Sequence, residues 1–237
     1  MSHPIAELLS HYDAVDLSHP LHEGMPCVPT HSPFKHNLVE SYWSGGVAVA
    51  YEIVMNEHSG THVDAPAHFV QDDRPQHVWI DEVSPLSVSG RGIVIDARGV
   101  AGGAEIEVEV LHRHEQANGT FRPGDVVMVW TGWSEHWASE TYMESWPGLS
   151  KAAAELLAER GVAAVGIDAI ALDPSGTTTH ASHHVLLELG IMILENLKGL
   201  ERLPLESYFL AIPLAIVQGS GSPLRPLALV ERTTGAA

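Results

Sequence analysis

From Val47 the chain alternates, with Val47, Val49, Tyr51, Ile53 and Met55 on one side. That is the period of a strand, and it runs straight into a histidine-rich segment. Residues 93–96 read as a buried strand. Residues 105–116 are ambiguous: Glu-Ile-Glu-Val-Glu-Val alternates like a strand, while Val110, Leu111 and His114 share a helical face. Residues 125–131 predict a buried strand entered through the Pro123-Gly124 turn. Ser150 is placed to cap a helix over 151–160, which Gly161 ends. A strand over 162–168, a helix over 183–189 and an apolar run over 191–194 follow. Residues 208–217 and 224–230 predict the last two strands. Strands and helices alternate only in the second half, which implies an α/β fold with a mixed sheet and not a regular doubly wound one.

The first 40 residues hold Pro20, Pro26, Pro29 and Pro33. They predict an irregular Pro-rich arm that wraps the domain or covers a site, because such a backbone cannot join a central strand. No Ser/Gly-rich linker, charge block or internal repeat divides the chain, so residues 1–237 read as one domain.

Composition narrows the function. The 237 residues suffice for one sizeable core. A net charge of −18, histidine neutral, argues against a nucleic-acid or anionic-membrane partner, since either needs a basic face. Cys27 is the single cysteine, so no intramolecular disulfide forms. The N-terminus lacks a basic region followed by an apolar run, and no apolar stretch approaches the ~20 residues that span a bilayer. The expected location is the cytoplasm. Most of the sixteen histidines are expected at the surface or as caps.

The chemistry concentrates in Glu57-His-Ser-Gly-Thr-His-Val-Asp-Ala-Pro-Ala-His68, which sets His58, His62, Asp64 and His68 within eleven residues. Gly60 and Pro66 oppose a helix there, so these side chains are expected on a turning loop at a strand end. Three of the four make a first shell for a divalent metal, and the fourth has the chemistry of a proton carrier. Imidazole and carboxylate suit zinc, manganese or iron. Zinc can lower the pKa of bound water from ~15.7 to about 7. Gly60 lets the backbone bend so that His58 and His62 converge. Asp64, two residues past His62, points to the same side of an extended stretch, and a carboxylate can bridge two metals. Thr61 is a candidate hydrogen-bond partner for a ligand. Pro66 fixes the distance to His68, which is a proton carrier, a third ligand or a structural hydrogen-bonder. Ser59 occupies the place where a helical zinc protease carries its glutamate, so that class is disfavoured. Together these features suggest a metal-dependent hydrolase; a histidine-rich surface loop is the bland alternative.

Other residues add less. Gln218-Gly-Ser-Gly-Ser222 is not a nucleophile elbow and reads as a turn between strands. Phe34, Tyr42, Trp43 and Phe69 are candidates for the wall of a substrate pocket. Asp168, Asp173, His31 and His36 are candidate entrance or supporting groups.

Residues 58–68 resemble the His-x-Gly-Thr-His-x-Asp-x-Pro-x-His signature of the cyclase family, which includes bacterial formamidases and isatin hydrolases. The likeness extends over about residues 12–230. It takes in Asp16-Leu-Ser-His-Pro-Leu with Gly24-Met-Pro26, Gly124-Asp125 with Thr131-Gly-Trp133, and Gly166-Ile-Asp168 with Leu172-Asp173. It continues through Ser182-His183 to Glu195-Asn-Leu197, then Ile212-Pro-Leu214 and Gly221-Ser-Pro-Leu-Arg225. The resemblance implies a swivelling β/β/α fold and metal-assisted hydrolysis of a small amide or cyclic amide, of the arylformamidase or isatin hydrolase type. Running the same site in reverse, as a cyclase or dehydratase, is the runner-up; a non-catalytic metal or small-molecule binding protein is the third possibility. The resemblance makes His58, His62 and Asp64 metal ligands and His68 the catalytic acid/base. His183 and Glu195, with His184 as the alternative to His183, become ligands of a second metal. The implied cofactor is zinc or manganese, one or two per chain, and the implied assembly a homo-oligomer, dimer or tetramer, acting on a small molecule. One departure stands out: Val28 occupies the place of the formamidases' substrate-contacting tryptophan, and Thr30-His31 replaces their Gly-Asp. That puts an isatin-like lactam on a par with an aryl formamide.

Overall fold

In the computed structural model the described residues are 3–232, so residues 1–2 and 233–237 of the expected domain lie outside them. Helix α1 (Pro4–Leu9) leads into β1 (Tyr12–Asp16), and β2 (Lys35–Glu40) and β3 (Ala50–Val54) then form a hairpin. There follow β4 (His62–Asp64), β5 (Gly90–Asp96), β6 (Glu105–Ile106), α2 (Val108–Asn118), β7 (Val126–Trp130) and β8 (Gly148–Leu149). The chain closes with α3 (Lys151–Glu159), β9 (Ala164–Ile167), α4 (Ala181–Leu187), β10 (Met192–Glu195), β11 (Glu206–Leu210), β12 (Gly221–Pro223) and β13 (Leu227–Glu231).

Among the described residues, nine strands form one sheet in the order β1-β13-β11-β5-β7-β9-β10-β4-β12. The middle four, β5-β7-β9-β10, are parallel, and the flanking strands pair antiparallel. This is the mixed α/β sheet that the alternation predicts. The parallel strands are apolar on both sides, as strands covered on both faces must be. Ile93, Ile95, Val127, Val129, Val165, Ile167 and Ile193 face a core shared with buried residues of α2, α3 and α4. Val94, Val126, Met128, Ala164, Met192 and Leu194 face a second core on the opposite side, with Leu17, Val63, Phe209 and Ala228. Ser150 caps α3 by accepting a bond from the Ala153 amide at 3.2 Å, and Gly161 ends it at φ +69°.

Several expectations are corrected. The first 40 residues are not irregular throughout: α1, β1 and β2 lie there, and β1 is an edge strand of the large sheet. The strand expected from Val47 is shorter, and it pairs only into the β2–β3 hairpin, outside the large sheet. Residues 105–116 resolve into both predicted forms, a two-residue strand and then a helix. The strand expected over 208–217 stops at Leu210, and residues 221–231 form two strands instead of one. No described helix is long and apolar enough to cross a membrane.

Candidate metal centre

His62 and Asp64 are not on a loop. They lie on β4, which sits between β10 and β12. Pairing makes the site. Glu195 stands opposite His62, and Ile193 opposite Asp64, while Gly221 of β12 faces Asp64 from the other side. Val63 enters the core on one face of the sheet, so His62 and Asp64 project to the other face by the period of two. There α4 supplies His183. The His62 Nε2 lies 3.3 Å from Asp64 Oδ1 and 3.4 Å from Glu195 Oε2. The His183 Nε2 lies 3.6 Å from Asp64 Oδ2 and 3.2 Å from Glu195 Oε1. His58, on the turn before β4, brings Nδ1 to 2.7 Å from Asp64 Oδ1.

The other nitrogen of each ring is held by the protein, which fixes what the first can do. His62 Nδ1 donates to the Gly60 carbonyl at 2.8 Å, and His183 Nδ1 donates to Asp173 Oδ2. The His58 Nε2 lies 2.8 Å from Ser220 Oγ, which is also 2.5 Å from Glu57 Oε1. A serine hydroxyl has one hydrogen. Given to the Glu57 carboxylate, it leaves Ser220 to accept from His58 Nε2. In their neutral forms all three rings then aim a bare nitrogen lone pair at the carboxylates of Asp64 and Glu195. Lone pairs do not attract carboxylates; a cation between them does.

Protonation satisfies the cluster in the absence of a metal. Burial alone would depress His62, but the Asp64 and Glu195 carboxylates override it and hold its pKa up at about 10. His183 is likewise buried, yet Asp173, Asp64 and Glu195 raise it well above the ordinary histidine value. Burial pushes Asp64 and Glu195 upward, and the imidazoles more than reverse this, leaving both carboxyls below their usual values. Asp64 Oδ2 is buried with no hydrogen-bond partner among the described residues. His62, Asp64 and Glu195 each offer an atom within 4.8 Å of the others, and so do His58, Asp64 and His68. The donor set therefore fits a divalent cation, with imidazole and carboxylate ligands in the proportions that zinc or manganese accept. A third grouping, Asp173, His180 and His183, is a helix start: the Asp173 carboxylate accepts the Ser182 and His183 amides at 2.9 and 3.2 Å.

His68 stacks on His58 with ring centroids 3.9 Å apart. Burial, the largest influence, lowers its pKa to about 4, with His58 and His183 acting in the same direction and Asp64 against. It is neutral at neutral pH and free to accept a proton. Phe69 lies against His68 at 4.8 Å and His183 at 4.7 Å, and contacts His180 and His184 beyond. His31 reaches within 6.3 Å of His58.

Other expected residues fall elsewhere. Phe34 is packed in an apolar cluster with Met25, Trp137, Tyr142 and Ile170. Trp43 is 61% exposed on the hairpin tip against Tyr42, so it does not line this chain's own site. His184 is exposed and pairs with Glu188, so of the two adjacent histidines it is His183 that faces the carboxylates. His36 stacks on Tyr51 in the hairpin. Thr61 bonds no ligand: it donates to the Asn196 carbonyl at 2.6 Å and accepts from the His19 amide at 2.9 Å. Asp168 holds the turn after β7 through the amides of Thr131 and Gly132. Sequence reasoning missed Glu57, Ser220 and Asn196 as supports. Asn196 Nδ2 donates to the Gly60 carbonyl at 2.9 Å, and its Oδ1 accepts from the Tyr142 hydroxyl at 2.7 Å. Its position directly after Glu195, in the pattern Glu-Asn-Leu, was the available signal.

Comparison with known proteins places the chain among similar ones. The family described as "Putative cyclase" matches residues 15–174. The chain is similar to the kynurenine formamidase of Bacillus cereus, 30% identical over 215 residues that cover 89% of this chain and 94% of the relative. It is 32% identical to the kynurenine formamidase of Erythrobacter litoralis over 216 residues, 90% of this chain and 91% of the relative. Among solved structures, isatin hydrolase A of Labrenzia aggregata is similar at a TM-score of 0.89 and 27% identity, covering 96% of this chain and 99% of that one.

Proposed function

The chain belongs to the cyclase family, and from that premise we propose that it is a metal-dependent amidohydrolase that opens a small amide or cyclic amide. The substrate class is an isatin-like lactam or an aryl formamide, as the names of the relatives suggest. The observation that carries the proposal is the convergence of three imidazole nitrogens on two buried carboxylates, beside a fourth, neutral imidazole. We assign His58, His62, Asp64, His183 and Glu195 as the residues that hold zinc or manganese. Asp64 turns Oδ1 toward His58 and His62 and Oδ2 toward His183, so both of its oxygens would be available to a bound cation. A divalent cation there supplies Lewis acidity to a carbonyl oxygen and acidifies water.

The chain's own residues do the rest. His68 accepts the proton of the attacking water and returns it to the leaving nitrogen, a role typically worth ~10²–10⁴ in rate. Phe69 offers an aromatic face beside His68 for a flat substrate. Ser220 and Glu57 fix the ring of His58, and Asp173 that of His183. Ser220 is not a nucleophile in this scheme. Although Ser220, His58 and Asp64 are connected as in a serine hydrolase, the hydroxyl hydrogen points to Glu57 and away from the base. The same proposal takes a small-molecule substrate and no nucleic-acid partner, in keeping with the net charge of −18. It also takes a homo-oligomeric assembly in the cytoplasm.

Elemental analysis of the purified chain, with His62→Ala as control, tests the centre. One or two equivalents of zinc or manganese, lost in the variant, are expected, together with turnover of isatin or formanilide. A chain that binds neither metal after incubation with both would overturn the assignment.

A further inference from the structure

A cavity of about 350 Å³ opens where the segment after β1 meets the turn after β10, and it shares no lining residue with the metal centre. Its less exposed lining is His19, Ser134, Lys198 and Gly199; Glu135, Glu201 and Arg202 form an exposed rim. His19 is 7% exposed, and Trp137 covers one face of its ring, stacked at 3.9 Å. Nε2 is enclosed without a hydrogen-bond partner, and Nδ1 has none among the described residues either. Buried polar groups are ordinarily bonded, and Nδ1 is the nitrogen that His19 has left for the cavity. Burial, with Lys198 acting the same way, lowers the pKa of the ring to about 4. The imidazole is therefore neutral and carries one N–H.

Charge is uneven over this lining. Glu201 pairs with Arg202 at 3.9 Å, and Glu135 has Arg98 as its cationic neighbour. Lys198 forms no ion pair among the described residues. A half-buried ammonium without a counter-ion is poorly stabilised. The groups around it are fixed. The Arg202 Nη2 donates to the Asp16 carbonyl at 2.7 Å, and its guanidinium lies so close over Gly199 that a Cβ there would collide with it. The Lys198 amide donates to the Leu17 carbonyl at 3.0 Å, and the His19 amide to Thr61 Oγ1 at 2.9 Å. The Ser134 hydroxyl makes only a long bond among the described residues, 3.5 Å to Asp168 Oδ2. An ammonium, an imidazole and a hydroxyl thus line one cavity on a backbone set before any ligand arrives.

We propose that this cavity binds a small monocarboxylate. One carboxylate oxygen takes the Lys198 ammonium and the other accepts from His19 and Ser134, a charge-assisted pairing. The acidic rim selects against a second negative charge, which disfavours phosphate. The site stands apart from the proposed amide hydrolysis, and so does its test. Amide nuclear magnetic resonance of the full chain, incubated with zinc, follows sodium acetate exchanged for chloride at constant ionic strength. The Gly199, Lys198 and His19 resonances are expected to shift and saturate in the millimolar range, with phosphate shifting them more weakly. Any acetate bound at the metal centre is read separately, at residues 62–64. Lys198→Met is expected to weaken binding by about tenfold or more. Lys151→Met, which removes a lysine paired with Glu155 elsewhere, is expected to leave it unchanged. If Lys198→Met fails to fold, the wild-type titrations decide on their own. No saturable acetate shift at Gly199, phosphate binding there as tightly as acetate, or undiminished affinity in the folded Lys198→Met variant would each overturn the proposal.

Discussion

His68 and Asn196 show how single residues divide the work. His68 touches the ring of His58 but accepts no carboxylate, so burial keeps it neutral, with a pKa lowered to about 4. Replacing it removes a proton carrier and leaves the carboxylate-facing nitrogens intact. His68→Ala is expected to lower kcat/KM by ~10²–10⁴ with metal content unchanged, checked by steady-state kinetics beside elemental analysis. A loss of metal would make His68 a ligand instead. Asp64 is the opposite case, since both its oxygens face imidazoles. Asp64→Asn removes the charge that three rings share, and no stoichiometric metal is expected to remain. Asn196 acts at one remove. It sits at φ +56° and connects the Tyr142 hydroxyl to the Gly60 carbonyl, which in turn fixes His62. Tyr142→Phe strands a buried amide oxygen, a loss of about 1–3 kcal/mol that urea denaturation should resolve. Metal affinity should fall with it, measured by chelator competition, because the Gly60 carbonyl loses part of its support.

The elements bring these residues together, and here the sequence is legible unevenly. His58, His62, Asp64 and His68 are close along the chain, so their spacing alone suggests a site. Glu195 betrays itself as a carboxylate ending an apolar run. His183 gives no such sign: the adjacent His184 has the same chemistry and points to solvent, and only the rotation of α4 separates them. The core strands are plain in the sequence because they are apolar on both faces. β4 is hidden because three residues with two polar side chains carry no strand signature; pairing with β10 and β12 makes it one. The hairpin misleads in the other direction, since its alternation is that of a buried strand while the described residues leave it uncovered. β12 depends on one residue in particular. Gly221 lies opposite Asp64, and a Cβ there would come within 2.5 Å of the His58 ring and 2.7 Å of the Val63 carbonyl. Gly221→Ala is expected to displace His58 and to strain the local β4–β12 pairing, because the Val63 carbonyl is backbone and cannot swing aside as the ring can. Metal affinity should drop while circular dichroism and the far end of the sheet, read by hydrogen exchange at β11 and β13, stay unchanged.

For the whole molecule, the centre joins stretches that are remote in sequence: the turn and strand at 58–64, α4 at 183, β10 at 195 and the turn at Ser220. A cation that binds only the folded chain stabilises it by RT ln(1 + [L]/Kd), about 2.7 kcal/mol at a hundredfold excess over Kd. Chelation is therefore expected to lower the melting temperature. The size of the drop should depend on pH, and the sign follows from the imidazoles. In the metal-free protein His62 is raised from 6.5 to about 10, and His183 is raised as well. A raised folded-state pKa contributes stability that is fully present below 6.5 and is lost as pH climbs toward the folded value. Protons thus stabilise the empty cluster most fully in mild acid, and that contribution shrinks as pH climbs from 6.5 toward about 10. The cation competes with those protons, so it binds more tightly as pH rises. Both effects widen the gap between the two forms in the same direction. Melting curves with and without chelator should lie closest near pH 6 and separate steadily toward pH 9, and metal binding at neutral pH should release protons, detectable by calorimetry in buffers of different ionisation enthalpy. A gap that narrowed with rising pH would mean that the raised imidazoles are not the atoms the metal replaces.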